Sequence, residues 1–112
     1  MEELRIDVCG RVQGVGFRQF VKRQADALSV KGNVRNASDG RVAIVAQSSR
    51  EQLELFLVRV QGGPFLAKVT EVSYAWKKPA FLYEDFVISV NSGFVRDQAR
   101  SFTNLGKKLF YL

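Results

Sequence analysis

An α+β sandwich, with two helices covering one face of an antiparallel or mixed sheet, is the fold class predicted for this chain of 112 residues. Three observations predict it. Leu4, Ile6 and Val8 alternate with Arg5, Asp7 and Cys9, the period-two pattern of a strand with one buried face. Phe17, Phe20, Val21, Gln24, Ala25 and Leu28 then recur at helical spacing, with Lys22, Arg23 and Asp26 on the opposite side. Further strand patterns and a second helical pattern follow, in an order that reads βαββαβ plus one extra strand.

The second strand spans 31–36 and ends at Ala37-Ser38-Asp39-Gly40, where Asp-Gly is a strong hairpin signal. Residues 41–47 return as the third strand, with Val42, Ile44 and Ala46 facing one way. Ser48 or Ser49 caps a second helix, Glu51 and Gln52 occupy its first turn, and Leu53, Phe56, Leu57 and Val60 form its apolar face. Gly62-Gly63-Pro64 ends it. Residues 69–76 make a fourth strand, Lys77-Lys78-Pro79 breaks it, and Phe86, Ile88 and Val90 mark a fifth. This is the order of a ferredoxin-like two-layer sandwich. The helical crossover makes the first two strands parallel, with the third between them, so their C-terminal ends share one edge of the sheet. Arg18 and Asn36 should meet there.

Residues 1–90 account for that domain, and 91–112 form an extension. Asn91-Ser92-Gly93 reads as a linker. Val95, Ala99, Phe102, Leu105, Leu109 and Leu112 then recur at helical spacing, with Arg96, Arg100, Lys107 and Lys108 interleaved. The spacing predicts an amphipathic helix over 94–108, weakened locally by Gly106. The sheet face without helices should carry an apolar strip of Ala43, Val45 and Val87. The extension is expected to dock on that strip or to be exchanged within a homodimer.

Composition narrows the chemistry. The chain is 46% hydrophobic and 25% charged, the balance of an ordinary globular domain. No stretch is apolar enough to span a bilayer, and Met1-Glu2-Glu3 does not read as a signal peptide, so a cytoplasmic protein without membrane attachment is expected. The absence of histidine excludes Ser-His-Asp and Cys-His catalysis, and Cys9 alone can build neither an internal disulfide nor a zinc site. No metal and no cofactor is expected. The net charge is +6, but Arg96, Arg100, Lys107 and Lys108 against Asp97 place half of it in the extension. Whatever reaction occurs must rest on positioning and electrostatics.

The stretch with the clearest chemistry is Gly10-Arg11-Val12-Gln13-Gly14-Val15-Gly16-Phe17-Arg18, which joins the first strand to the first helix. Its glycines permit positive φ and bring amide N–H groups to a ligand without an intervening Cβ. A helix starting near Phe17 aims further free N–H groups and its positive dipole end at the same place. Arg18 adds a planar guanidinium suited to phosphate. The candidate phosphate-binding set is Gln13, Gly14, Val15, Gly16, Phe17 and Arg18. Within that set Gln13 is a weaker candidate, as are Arg35, Arg41 and Arg11 outside it.

This string resembles the motif of the acylphosphatases, enzymes that hydrolyse the mixed anhydride of a carboxylic acid and phosphate. Val34-Arg35-Asn36-Ala37-Ser38-Asp39-Gly40 resembles the family's second motif, and Gly63-Pro64 with Ala67-Lys68-Val69 resembles its third landmark. The likeness runs from about residue 3 to 90. It implies that Arg18 binds the substrate phosphate and that Asn36 orients the attacking water. The family often carries a tryptophan where this chain has Asn33.

The residues themselves suit that division of labour. The leaving group of an acyl phosphate is a carboxylate whose conjugate acid has pKa about 4, so no acid catalyst is needed. The tasks that remain are holding the phosphoryl group, balancing its charge and placing water in line. Amides of residues 13–17 and Arg18 suit the first two. Asn36, a neutral amide that both donates and accepts, suits the third. The expected partner is a small acyl phosphate rather than nucleic acid. A non-catalytic phosphate- or RNA-binding module on the same fold is the alternative, although no aromatic run of the RNA-recognition type occurs. Carbamoyl-phosphate handling or a regulatory use of the fold is a third reading.

Overall fold

The structure is a computed structural model that describes residues 1–89 and the strand backbone over Lys108–Tyr111. The described elements are β1 (Glu2–Arg11), α1 (Phe17–Ala27), β2 (Lys31–Asn36), β3 (Val42–Ser48), α2 (Arg50–Gly62), β4 (Lys68–Lys77), β5 (Phe86–Ser89) and β6 (Lys108–Tyr111). They form one sheet in the order β5-β2-β3-β1-β4-β6. β3 runs antiparallel to both β1 and β2, so those two are parallel, as the crossover requires. β4 is antiparallel to β1 and β5 is parallel to β2, which makes the sheet mixed.

The registers place Leu4, Ile6 and Val8 beside Ala46, Ile44 and Val42, and these pairs form one face with Val34 and Val72. Both helices cover that face. Phe17, Val21 and Ala25 of α1, with Leu53, Phe56 and Val60 of α2, complete the core. Ser49 is the N-cap of α2 and accepts from the Gln52 N–H at 3.3 Å, and Gly63 ends the helix at positive φ.

The opposite face differs from the apolar strip expected of it. Ala43 is buried, Val45 is half-buried and Val87 is exposed, but Glu3, Asp7, Arg35 and Gln47 are also buried on this side. These polar groups are paired. Arg5 donates to Glu3, Arg41 pairs with Asp7, and Gln47 donates to Glu3 Oε1 at 2.9 Å. Alternation alone assigns such residues to solvent. The connection from β4 to β5 instead crosses this face, with Gln47 donating to Phe81 O and accepting from the Tyr83 N–H.

The helix expected over 94–108 lies outside the described residues, apart from Lys108. Lys108 opens β6, whose backbone pairs antiparallel with β4 at Tyr74 and continues to Tyr111 opposite Glu71. Leu109, counted in the helical pattern, therefore lies in a strand. A run of Leu, Phe and Tyr has good strand propensity, and β4 supplies an edge to pair with.

Candidate functional site

The loop between β1 and α1 is stretched between two buried anchors. Val12 and Phe17 are each only 1% exposed, and Val15 packs against the core between them. The backbone from Gln13 to Gly16 is thereby forced to turn in the open. Gly14 and Gly16 take up that turn at φ 75° and 79°, the left-handed region that costs other residues energy.

Gly16 is also the N-cap of α1 and has no side chain to cap it. The first helical bond runs from the Phe20 N–H to Gly16 O at 3.0 Å, so the amides of Phe17, Arg18 and Gln19 precede the ladder. No acidic residue occupies the first turn. The positive end of the helix dipole is therefore not offset locally by a carboxylate of its own helix.

One pocket lies at this helix end. Val12, Gly14, Gly16, Phe17, Arg18, Gln19, Asn36 and Ile88 line it. Arg18 and Asn36 meet there, as the parallel β1–β2 arrangement predicts. Arg18 Nη1 donates to Ser89 O at 3.3 Å, which holds the guanidinium over the end of β5. Asn36 is the last residue of β2 and faces the helices, one position beyond Arg35 on the other face. Its Oδ1 is buried without a hydrogen-bond partner among the described residues. A buried amide oxygen in that state favours a hydrogen-bond donor from outside the protein, such as water or ligand.

Gln13 and Val15, both in the sequence-based set, do not line the pocket. The Gln13 side chain instead donates through Nε2 to Ala37 O at 2.8 Å and to Arg41 O at 2.9 Å. The weaker candidates also fall elsewhere. Arg41 pairs with Asp7 and Asp39, and Arg35 is 5% exposed on the face away from the helices. Burial lowers the Arg35 pKa while Asp7 opposes the shift. Arg11 is exposed at the end of β1, opposite Lys68. Val12 lies within the 11–18 loop expected to hold phosphate but was not singled out as a site residue, and Gln19 and Ile88 were not expected at the site. Gln19 was available as the next first-turn residue, but Ile88 depends on β5 pairing with β2, which no local pattern reveals.

Asn33 on β2 makes a polar link to β5. Its Nδ2 donates to Ser89 Oγ on β5. Among the described residues, no group of three or more His, Cys, Asp or Glu side chains is placed to hold a metal ion. No described helix is long and apolar enough to cross a membrane.

Fold and pocket together define a small ferredoxin-like protein with a glycine-rich loop at a helix N-terminus. The acylphosphatase family model matches residues 4–88. The chain is 47% identical over 75 residues to an acylphosphatase of Thermus thermophilus, covering 67% of this chain and 85% of that protein. It is 49% identical over 88 residues to one of Thermotoga petrophila, covering 79% and 97%. Among solved structures, acylphosphatase from Bacillus subtilis superposes with a TM-score of 0.77 at 40% identity, over 80% of this chain and 99% of that one. The chain belongs to the acylphosphatase family.

Proposed function

We propose that this enzyme hydrolyses small acyl phosphates to a carboxylate and inorganic phosphate, with its reaction centre in the pocket between the 13–18 loop and Asn36. The phosphoryl oxygens are received by loop amides and the first-turn amides of α1, and Arg18 balances their charge. Asn36 holds the attacking water through the oxygen that no described group satisfies. That buried, unpartnered Oδ1, on a residue that lines the same pocket as Arg18, is the observation that carries the proposal.

The steps follow from charge and geometry. Water held by Asn36 attacks phosphorus, the P–O bond to the acyl group breaks, and the carboxylate departs without protonation. The proton of the water passes to a phosphate oxygen or to bulk solvent. Catalysis then consists of preorganised donors placed where charge is carried through the transition state.

The test is hydrolysis of benzoyl phosphate by the purified protein, with a chelator present. Wild type should turn over. Arg18→Ala should lose about a hundredfold or more in kcat/KM, as removal of one preorganised donor does. Asn36→Ala should lose a similar factor in kcat while inorganic phosphate still binds. No turnover by folded wild type, or full activity in either variant, refutes the assignment. A cytoplasmic setting belongs to the same reading. So does a homodimer through residues 91–112, which sedimentation velocity resolves.

A further inference from the structure

The mechanism above needs the water-holding group and the phosphate cradle at a fixed separation, yet the two lie on strands that are not neighbours. β3 stands between β1 and β2. The sheet ladders end at Val8↔Val42 and Asn36↔Val42, so Asn36 is held at the last pair on the rim of the common neighbour, while the turn after it and the loop after Arg11 run on past that rim. Backbone pairing within the sheet does not join them beyond that point.

Gln13 spans the gap. Residues 37–41 form the turn between β2 and β3, closed by the Ala37 N–H donating to Arg41 O at 2.8 Å. Gln13 Nε2 donates to both carbonyls at the mouth of that turn, Ala37 O at 2.8 Å and Arg41 O at 2.9 Å. An amide NH2 has two protons, and two acceptors take them. One acceptor belongs to the residue bonded directly to Asn36. The other end of the link is the cradle backbone itself, one residue before Gly14.

We infer that Gln13 is a positioning residue for the reaction: its side-chain amide fastens the hairpin that carries Asn36 to the phosphate loop and so sets the line of attack of the water. The inference rests on the roles proposed for Arg18 and Asn36. Gln13 itself does not reach the pocket, so it acts through Asn36 rather than on the substrate. The residue type is suited to the task. A glutamate of the same size would bring a carboxylate against two carbonyl oxygens, and alanine would leave both without this donor. A displacement of about 1 Å in such a site costs up to about a hundredfold in rate.

A double-mutant cycle decides it. Benzoyl phosphate hydrolysis and the inhibition constant of inorganic phosphate are measured for wild type, Gln13→Ala, Gln13→Glu, Asn36→Ala and Gln13→Ala/Asn36→Ala, with the folded fraction of each followed by circular dichroism. Both Gln13 variants should lower kcat per folded molecule by about ten- to a hundredfold and shift the phosphate constant less than about twofold. In the Asn36→Ala background the further loss on Gln13→Ala should vanish, because the residue it positions is gone. Equal losses in both backgrounds overturn the inference, as does phosphate binding weakened in step with kcat, or no loss in either Gln13 variant. Gln13→Lys, whose ammonium can donate to both carbonyls, should recover part of the loss. If Asn36→Ala itself retains wild-type kcat, the parent assignment fails instead, and the two failures are told apart.

Discussion

At the scale of single residues, Gly16 shows how backbone conformation and chemistry coincide. A Cβ there would meet no atom within 4 Å, so a substitution clashes with nothing. The cost lies in its φ of 79°, which an L-residue enters at about 1–2 kcal/mol. Gly16→Ala should therefore lower stability by roughly 1 kcal/mol in urea unfolding. It should lower kcat/KM by about tenfold or more, because relaxing that φ turns amides away from the pocket. A stable variant with unchanged kcat/KM would show that the loop backbone does not form the binding surface. That Arg18, Asn36, Gly14 and Gly16 line one pocket was legible in the sequence, from a glycine-rich loop before a helix, from the resemblance of the second motif and from the parallel course of β1 and β2. Where the Gln13 side chain goes was not. Its partners lie 24 and 28 positions away and are backbone carbonyls, which carry no residue-type signal.

Up to residue 89 the elements were legible nearly to their ends, since strand alternation and helix caps are written in adjacent residues, whereas β6 was read as part of a helical pattern because its partner β4 is distant in sequence. Ser49, Gly63 and the Asp39-Gly40 turn fall where local rules place them. What that hairpin does is a tertiary matter. Arg41 reaches back to Asp39 within the turn and across to Asp7 on β1, a second fastening of the hairpin beside that of Gln13. Burial pushes the Asp39 carboxyl pKa up, but hydrogen bonds from the Arg41 side chain and backbone outweigh it and hold the pKa below its usual value of 3.8. A carboxylate with a depressed folded pKa contributes stability above its unfolded pKa, and that contribution is lost as pH falls through the folded value. The urea midpoints of wild type and Asp39→Asn should therefore differ at pH 6 and converge below about pH 4. Asp39 is largely exposed, so the gap is small. A gap that persists unchanged down to about pH 2 would assign the turn's stability to geometry rather than to charge.

For the whole molecule, the sheet sets the pocket and the Gln47 hydrogen bonds on opposite faces and at opposite ends. The pocket sits at the C-terminal ends of β1 and β2 under the helices. At the other end, on the other face, Gln47 is 1% exposed. It donates to Glu3 Oε1 and to Phe81 O, and its Oε1 accepts from the Tyr83 N–H. These bonds latch the crossing between β4 and β5 onto the sheet. The same burial, with Glu3 nearby, pushes the Tyr83 phenol pKa up. Glu3 pairs with Gln47, whereas Arg11 ends β1 beside the loop, so at about 3.3 Å per residue the latch is about 25 Å from the cradle. A sequence pattern cannot show this, because a glutamine alternating with apolar residues reads as solvent-facing until the crossing chain covers it. Gln47→Leu keeps the volume roughly and removes all three bonds, leaving a buried carboxylate and two backbone groups short of a partner. It should cost about 2 kcal/mol in urea unfolding. Under conditions where the variant is folded, kcat and KM for benzoyl phosphate should stay within about twofold of wild type, because nothing in the latch touches the 13–18 loop or Asn36. A large fall in kcat with the fold intact would mean that the crossing, which leads into β5 and so to Ile88 and the Ser89 carbonyl that Arg18 holds, transmits strain along the full length of the sheet into the pocket.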